Sequence, residues 1–467
     1  MKLRDIVVLL LCLLLISNAA TYFLTRFFFS AETETEVVVD EDKQTLFWEI
    51  WELLEEDYYE PLEEEEMMRG AIEGMLRSLD DPHTSYMTSE AMDEMRIQTR
   101  GAFGGIGVEI TKDEGEVLIL NVIEDSPAHE VGLNMGDRIV GVDGESIEGK
   151  ALNDVAQILR GQEGTNVEVT VLRPEEGTTL EVEITRSEIE MVTVSDRMAQ
   201  ENVGYIEVSN FDGNTAEDFS AALSSLEERG LNGLIIDLRN NPGGLLEGAV
   251  DLGKLIVPSG EITRMVDREG NVIERHFSRA EPKDYPIAVI VNEYTASAAE
   301  IIAGALQESD SGILIGEPTF GKASVQMLQE LSDGGGLRYT VANYLTPEGR
   351  DLDRYGLTPD VKVDLPEEYH LQYRSVPKEL EMGDTGDTVV LLQEMLKFLL
   401  NEVEVTGVYD EQTSQALIEF QESYALSPSG ELDSATREQL RQALSKKAEE
   451  ADTQLQKAVE VVKEKDF

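Results

Sequence analysis

The sequence predicts a multidomain α+β chain: an apolar N-terminal segment, a helical region, a glycine-containing strand domain, an α/β core and a small helical domain. Three observations carry this. At 467 residues the chain is too long for one hydrophobic core, and roughly two to four domains are expected. Apolar residues recur at helical spacing near both ends, at Phe47, Ile50, Trp51, Leu54 and Tyr58 and again at Val390, Leu391, Met395 and Leu399. Between them, short apolar runs such as Ile287–Val291 alternate with helical patterns, as buried strands of an α/β layer do.

Charge excludes some partners. Asp and Glu number 94 against 38 Lys and Arg, a formal net charge of −56. Such a surface repels nucleic acid and anionic membrane surfaces. The acidic excess runs through every segment, which reads as adaptation of the surface to high salt, where self-repulsion is screened. An ordinary acidic soluble surface is the alternative. The only cysteine, Cys12, excludes a disulfide within one chain and leaves the redox compartment open.

Residues 1–30 begin with Lys2 and Arg4, run apolar from Ile6 to Ile16 and continue with interruptions to Phe29. The stretch 6–24 nearly supplies the roughly 20 residues of a bilayer span. It reads as an uncleaved membrane anchor; the alternative is a cleaved signal peptide, because Ser17-Asn18-Ala19 follows a suitable apolar core. With basic residues before the span and acids after it, either reading puts the rest of the chain outside the cytoplasm.

Residues 31–99 are acidic and helical, with a second stripe at Ala71, Met75 and Leu79. The stripes read as core or as contacts between two copies, so a homodimer is among the expected assemblies. The turn at 78–87, SLDDPHTSYM, holds His83, one of only 4 histidines. Nothing around it supplies the setting of a catalytic histidine, and it is not read as one.

In residues 100–186, Gly104, Gly105, Ile106 and Gly107 precede a strand at 108–111. Glycines let successive N–H groups converge on a carboxylate, and the following strand can pair with an incoming peptide. Residues 153–159 read as a groove helix with Val155 and Leu159 facing inward. Arg160 follows at the helix end, where a cation is favourable, and Gly161 ends the helix.

Residues 187–370 carry the chemistry. After the strand Ile287–Val291, Ser297 opens a helical pattern of Ile301, Ile302, Ala305 and Leu306. A serine there lies at the mouth of a helix N-terminus, where free N–H groups can receive an anion. Lys322 comes 25 residues later and Gln326 4 beyond that, a spacing that returns both side chains to one face. The pattern suits a serine nucleophile, a lysine base and a glutamine that orients the lysine. An ordinary lysine titrates near 10.4, leaving about 0.04% neutral at pH 7, so burial must lower that value by roughly three pH units. Ile315 and Phe320 are candidate apolar walls, with no carboxylate in contact. DLRNNPGG at 237–244 ends another strand; Gly243 and Gly244 permit close approach to substrate, and Arg239 and Asn240 are placed to brace the loop. A helix-capping serine with an unrelated lysine, and a plain strand-ending turn, are the alternatives that these residues alone leave open.

NEYTASAAEIIAGAL at 292–306, GKASVQ at 321–326, DLRNNPGG at 237–244 and LTPEGRDL at 345–352 resemble, in order and spacing, the C-terminal processing peptidases, or tail-specific proteases. The resemblance spans residues 45–363 and includes the 78–87 turn. It implies a serine peptidase core of the crotonase/ClpP-like α/β type with no metal or cofactor. It assigns Ser297 as nucleophile, Lys322 as general base, Gln326 as its partner, and Gly243, Gly244 and Ala298 as oxyanion residues. One departure is Ala323, where many members carry glycine. DSPAHEVGLNMGDRIVGVDGESI at 125–147 resembles a PDZ domain. That resemblance implies binding of a peptide C-terminus at Gly104, Gly105, Ile106 and Gly107, with Arg160 coupling peptide binding to the active site.

Residues 378–445 form a separate module whose GDTGDTVVLLQEMLKFLL and GVYDEQTSQALIEF resemble the small helical peptidoglycan-binding domain, making peptidoglycan an expected partner. Thr413, Ala416, Leu417 and Phe420 make its second apolar face; 377–382 is the expected linker, and 446–467 a terminal helix without legible chemistry. The chain is therefore expected to be a serine endopeptidase, anchored or secreted with its catalytic part outside the cytoplasm, that recognises polypeptides by their C-termini. The rival is a non-catalytic scaffold in which the PDZ and wall-binding modules carry the function. A trypsin-like protease is excluded because the chain has no GNSGGP-type loop.

Overall fold

A computed structural model describes residues 41–113, 115–174, 177–376, 380–400 and 403–464. The expected N-terminal anchor lies outside these. Among the described residues no helix is long and apolar enough to cross a membrane.

The chain divides into two compact units, 1–75 and 76–467. The first holds α1 (Glu41–Asp57) and most of α2 (Glu64–Arg77), which opens on three glutamates favourable to a helix N-terminus. The predicted stripe of α1 is there, and of its two readings, core or contact between copies, the described residues do not supply the core. Phe47, Ile50, Leu54 and Tyr58 are 37–52% exposed, because two short helices offer too little apolar surface to close a core.

The second unit continues with β1 (Ser85–Met87) and α3 (Ser89–Arg100), which Thr88 caps by accepting from the Ala91 N–H. The strand domain comprises β2 (Ala102–Gly105), β3 (Val108–Asp113), β4 (Glu116–Val122), α4 (Pro127–Glu130), β5 (Arg138–Val142), β6 (Glu145–Ser146), α5 (Leu152–Leu159), β7 (Asn166–Arg173), β8 (Thr178–Thr185) and β9 (Ser187–Glu190). Its sheet runs β3-β4-β5-β7-β8, which leaves β3 as an edge strand beside α5. Val155 and Leu159 of α5 are buried in its core, as their spacing predicts. Gly104 and Gly105 differ from expectation: they lie inside β2, paired with β9, rather than in an open loop.

The α/β core contains β10 (Val194–Gln200), β11 (Val203–Val208), α6 (Thr215–Glu228), β12 (Gly233–Asp237), α7 (Leu246–Ile256), β13 (Gly260–Val266), β14 (Val272–Ser278), β15 (Ile287–Val291), α8 (Ala298–Glu308), β16 (Ile313–Gly316), β17 (Ser324–Glu330), β18 (Gly336–Leu345) and β19 (Val361–Lys362). One sheet runs β10-β11-β12-β15-β16-β19, parallel from β11 onward. Alternate strand residues serve opposite faces. Ile206, Val208, Leu234 and Val289 meet α6, α7 and α8, whereas Tyr205, Ile235, Ala288 and Ile290 form the other face. Burial on both faces explains the unbroken apolar runs of β12 and β15. A second sheet, β1-β18-β13-β14 with β17 on β18, lies on the Lys322 side.

The C-terminal module packs α9 (Asp387–Leu400), α10 (Glu411–Ser423) and α11 (Ser434–Glu450) around Leu392, Leu396, Leu417, Phe420 and Leu440. Its core also takes Val376 and Leu380, so the expected linker contributes to the module. The final helix, α12 (Thr453–Lys463), is not a frayed end. Its Ala458, Val459 and Val462 pack against the Tyr205–Ile235–Ile290 face and close the second side of the α/β sheet.

Candidate active site

Strand β15 ends in a tight turn that delivers Ser297 to the first position before α8 with φ 56° and ψ −119°. A non-glycine residue at positive φ persists only where its surroundings over-determine it. Here the Ser297 N–H donates to Glu300 Oε2 at 2.9 Å, and its carbonyl accepts from the Tyr344 hydroxyl at 3.2 Å. The turn is fastened to the 237–244 loop. Ala296 N–H donates to the Asn241 carbonyl, Thr295 Oγ1 donates to the Leu238 carbonyl, and the Asn240 and Asn292 amides bond each other. The serine turn and the expected oxyanion loop thus form one hydrogen-bonded unit.

Within that loop the glycines differ. Gly243 is buried at φ 104°, and a Cβ on it would lie 2.7 Å from Ser297 Cβ. Its N–H already donates to Asn241 Oδ1 at 2.8 Å. Gly244 is exposed at φ 137°, and neither its N–H nor that of Ala298 has an acceptor among the described residues. Two free donors therefore flank the serine, and Gly243 contributes its lack of a side chain.

Lys322 follows Gly321, just before β17, and its backbone N–H donates to Glu300 Oε2 at 2.9 Å. Glu300 is fully buried, and its Oε1 accepts from Thr319 Oγ1 and the Gly321 N–H. Burial raises the Glu300 carboxyl against the pull of these four bonds. Burial, followed by the neighbouring Arg338 charge, lowers the Lys322 amine, while Asp81 and Glu300 oppose both. Among the described residues that amine has no ion pair or hydrogen bond. The expected apolar walls are not both there. Phe320 turns outward and is 56% exposed, and Ile315 belongs to the opposite face under α12. No carboxylate is in contact with the amine, as expected; Asp81 and Glu300 act on it from a distance.

No hydrogen bond joins the Ser297 hydroxyl to the Lys322 amine, and Gln326 donates its Nε2 to Thr340 Oγ1 at 3.3 Å rather than meeting Lys322. Catalytic contacts commonly close only when substrate is bound. The 78–87 turn packs against this hairpin: Thr340 Oγ1 donates to Asp81 Oδ2 at 2.7 Å, and the Thr340 N–H to Thr84 Oγ1. Burial, followed by the Lys322 charge, lowers the His83 imidazole.

In the strand domain Arg160 pairs with Glu94 of α3 at 2.5 Å and stacks over the Phe103 ring at 4.7 Å. Gly104 is required by close packing, since a Cβ there would lie 2.0 Å from the Gly161 carbonyl oxygen. Sequence reasoning missed Glu300, although Ser297-Ala298-Ala299-Glu300 is a capping-box spacing that would have singled it out. It also missed Asn241 and Asp81, each of which has one partner distant in the chain, Val208 and Thr340 respectively.

Residues 202–363 match peptidase family S41 and 104–185 match a PDZ domain family. Residues 14–91 match the N-terminal domain of the activating protease CtpB, and 385–440 a peptidoglycan binding domain family. The chain is 36% identical over 414 residues to the carboxy-terminal processing protease CtpA of Bacillus subtilis (strain 168), covering 88% of this chain and 89% of that protein. To the carboxy-terminal processing protease CtpB of the same organism it is 33% identical over 417 residues, covering 88% and 87%. A solved photosystem II D1 C-terminal processing protease is 31% identical, covering 69% of this chain and 94% of that one, with a TM-score of 0.42. The chain belongs to the S41 family of carboxy-terminal processing proteases and is a serine peptidase.

Proposed function

We propose that this peptidase works outside the cytoplasm, binds polypeptides by their C-termini in the groove between β3 and α5, and cleaves them at Ser297 with Lys322 as general base. The carrying observation is that Glu300 Oε2 accepts from the backbones of both residues, so nucleophile and base are fixed to one buried atom. Neutral Lys322 takes the hydroxyl proton as Ser297 Oγ attacks the scissile carbonyl carbon. The N–H groups of Gly244 and Ala298 receive the oxyanion, with Gly243 giving the space for it. The lysine then protonates the leaving amine, and water activated by the same base hydrolyses the acyl-enzyme. Gln326 orients the amine.

An edge strand beside a helix supports capture of an extended peptide by strand addition, with its carboxylate toward Ile106 and Gly107. The Arg160–Glu94 pair supports a link from that groove to α3, and Arg96 of α3 in turn pairs with Glu330 at the end of β17. Exposed rings of Tyr294 and Phe320 beside the serine turn favour apolar substrate segments. The apolar N-terminal segment supports an anchored or secreted enzyme, and the C-terminal module a location near peptidoglycan.

The test uses the full chain and an unfolded polypeptide with an apolar C-terminus. Ser297→Ala and Lys322→Ala are each expected to abolish cleavage while the fold is kept. Wild-type cleavage by either variant overturns the assignment.

A further inference from the structure

The 78–87 turn lies outside the proposed catalytic set, yet one of its two aspartates, Asp81, is linked through Thr340 to the lysine's partner. Asp81 Oδ2 receives the Thr84 hydroxyl at 2.6 Å and the Thr340 hydroxyl at 2.7 Å, and Oδ1 receives the His83 N–H at 2.9 Å. An ionised carboxylate only accepts, and a hydroxyl has one proton to give. With that proton committed to Asp81, Thr340 Oγ1 can only accept from Gln326. The bond between them therefore uses the amide Nε2, and the amide oxygen is turned free. Gln326 Oε1 has no donor among the described residues, and it is the atom able to receive a proton from a lysine.

We propose that Asp81 and Thr340 are positioning residues for the base: they fix the Gln326 amide with its oxygen available to Lys322. The inference rests on Lys322 being that base. The Lys322 amine lies within electrostatic range of Arg338 and Asp81, and Arg338 shares a face of β18 with Thr340, two residues away. Asp81, one of the charges that act on the amine, is also the acceptor at the head of the Asp81–Thr340–Gln326 chain. Asp81 has a second effect through its charge. Burial pushes its carboxyl up, but the bonds from Thr84, Thr340 and His83 prevail and keep it ionised. That negative charge favours the protonated lysine, against Arg338 and in concert with Glu300; His83, which also feels Asp353, is a further titratable group here.

The experiment measures kcat, KM and the pH profile of kcat/KM for full-length Thr340→Val, Thr340→Ser and Asp81→Asn on the unfolded polypeptide. Thr340→Val should lower kcat by about 10- to 100-fold at unchanged KM, and Thr340→Ser, which keeps the hydroxyl, should restore it. In Asp81→Asn the new NH2 can donate to Thr340, whose proton then turns to Gln326 and reverses the amide. Its kcat should fall, and its acid limb should move to lower pH because the lysine loses a stabilising negative charge. A turn that is only structural would lower the melting temperature of Thr340→Val without lowering its kcat; the limb reports the Asp81 charge alone. Wild-type kcat in Thr340→Val overturns the proposal. Should that variant not fold, Asp81→Asn decides alone through kcat on the plateau above the limb: an unchanged value overturns it. Lys322→Ala, run in parallel, separates the two failures. If it stays active, the base assignment is wrong; if it is dead while Thr340→Val is fully active, only the positioning role is wrong.

Discussion

The backbone N–H groups of Ser297 and Lys322 donate to a single oxygen, Glu300 Oε2, each at 2.9 Å. The two residues are 25 apart in sequence, and one buried carboxylate makes their backbones neighbours. A carboxylate suits the position because it offers only acceptors, and four donors converge on it.

Glu300→Gln should therefore be severe despite its equal size. One of the two oxygens becomes an NH2 group facing two donors that have no other acceptor. Each buried donor left unsatisfied costs about 1–3 kcal/mol, so a stability loss of about 2–5 kcal/mol is expected. The positive-φ turn at Ser297 would relax, and kcat should fall by about 100-fold or more. Urea unfolding and cleavage of an unfolded polypeptide measure the two losses, and near-wild-type values in both would contradict the role given to Glu300.

The pH profile follows from Lys322. Its base form is the neutral amine, so kcat/KM should rise with pH through the lysine's pKa and then level off. Burial and Arg338 lower that pKa, so the midpoint should lie below the ordinary value of about 10.4. Arg338→Met removes a positive neighbour and makes protonation easier, which moves the acid limb to higher pH. The shift is opposite in sign to that of Asp81→Asn. An Arg338→Met profile superimposable on the wild type would mean that another group sets the limb.

Much of this was legible in sequence because it is local. The run Ile287–Val291 is the strand it reads as, Ser297 heads its helix, and 153–159 is the groove helix with Val155 and Leu159 inside. What escaped reading was non-local. Glu300 looks like an ordinary helix cap until Gly321 and Lys322 fold onto it, and Asn241 is held by its Nδ2 donating to the Val208 carbonyl, 33 residues earlier. The apolar residues of α12 have a clear helical period, but their partners Tyr205 and Ile235 lie more than 200 residues earlier. Helical periodicity states which face is apolar, not what covers it. That is also why the stripe of α1 reads equally as core or as a contact between copies, and among the described residues it is exposed.

Gly243→Ala tests the close approach of the oxyanion loop. The added methyl would meet Ser297 Cβ at 2.7 Å and the Ala296 oxygen at 2.9 Å, on a backbone whose φ of 104° disfavours any side chain. The methyl would also lie 3.0 Å from the Ala298 nitrogen, and relief requires moving the serine turn, with Ala298, away from the Gly244 donor. The expected result is a folded protein with kcat lowered by about 100- to 1000-fold, the range seen on losing an oxyanion donor. Circular dichroism and single-turnover acylation by an activated ester would check this, and normal acylation would show that the loop can give way.

The last helix is tied to the same loop through Arg239. Its guanidinium bonds Asp237 and pairs at 2.8 Å with Asp452, the N-cap of α12, with both side chains less than a tenth exposed. Asp452→Asn keeps a good N-cap but weakens one arm of the pair, and Asp237 still balances the arginine. The expected cost is about 1–3 kcal/mol. Arg239→Ala leaves two buried carboxylates facing each other without a cation, so its cost should be larger, about 3–5 kcal/mol. Because the groups are shielded from solvent, neither loss should change much with ionic strength, unlike that of a surface pair. Urea unfolding at low and high salt measures both variants. Equal stability of Asp452→Asn and the wild type would mean that α12 is held without this pair, by its apolar face and by the bonds of Thr453 and Gln454 to the 363–364 carbonyls.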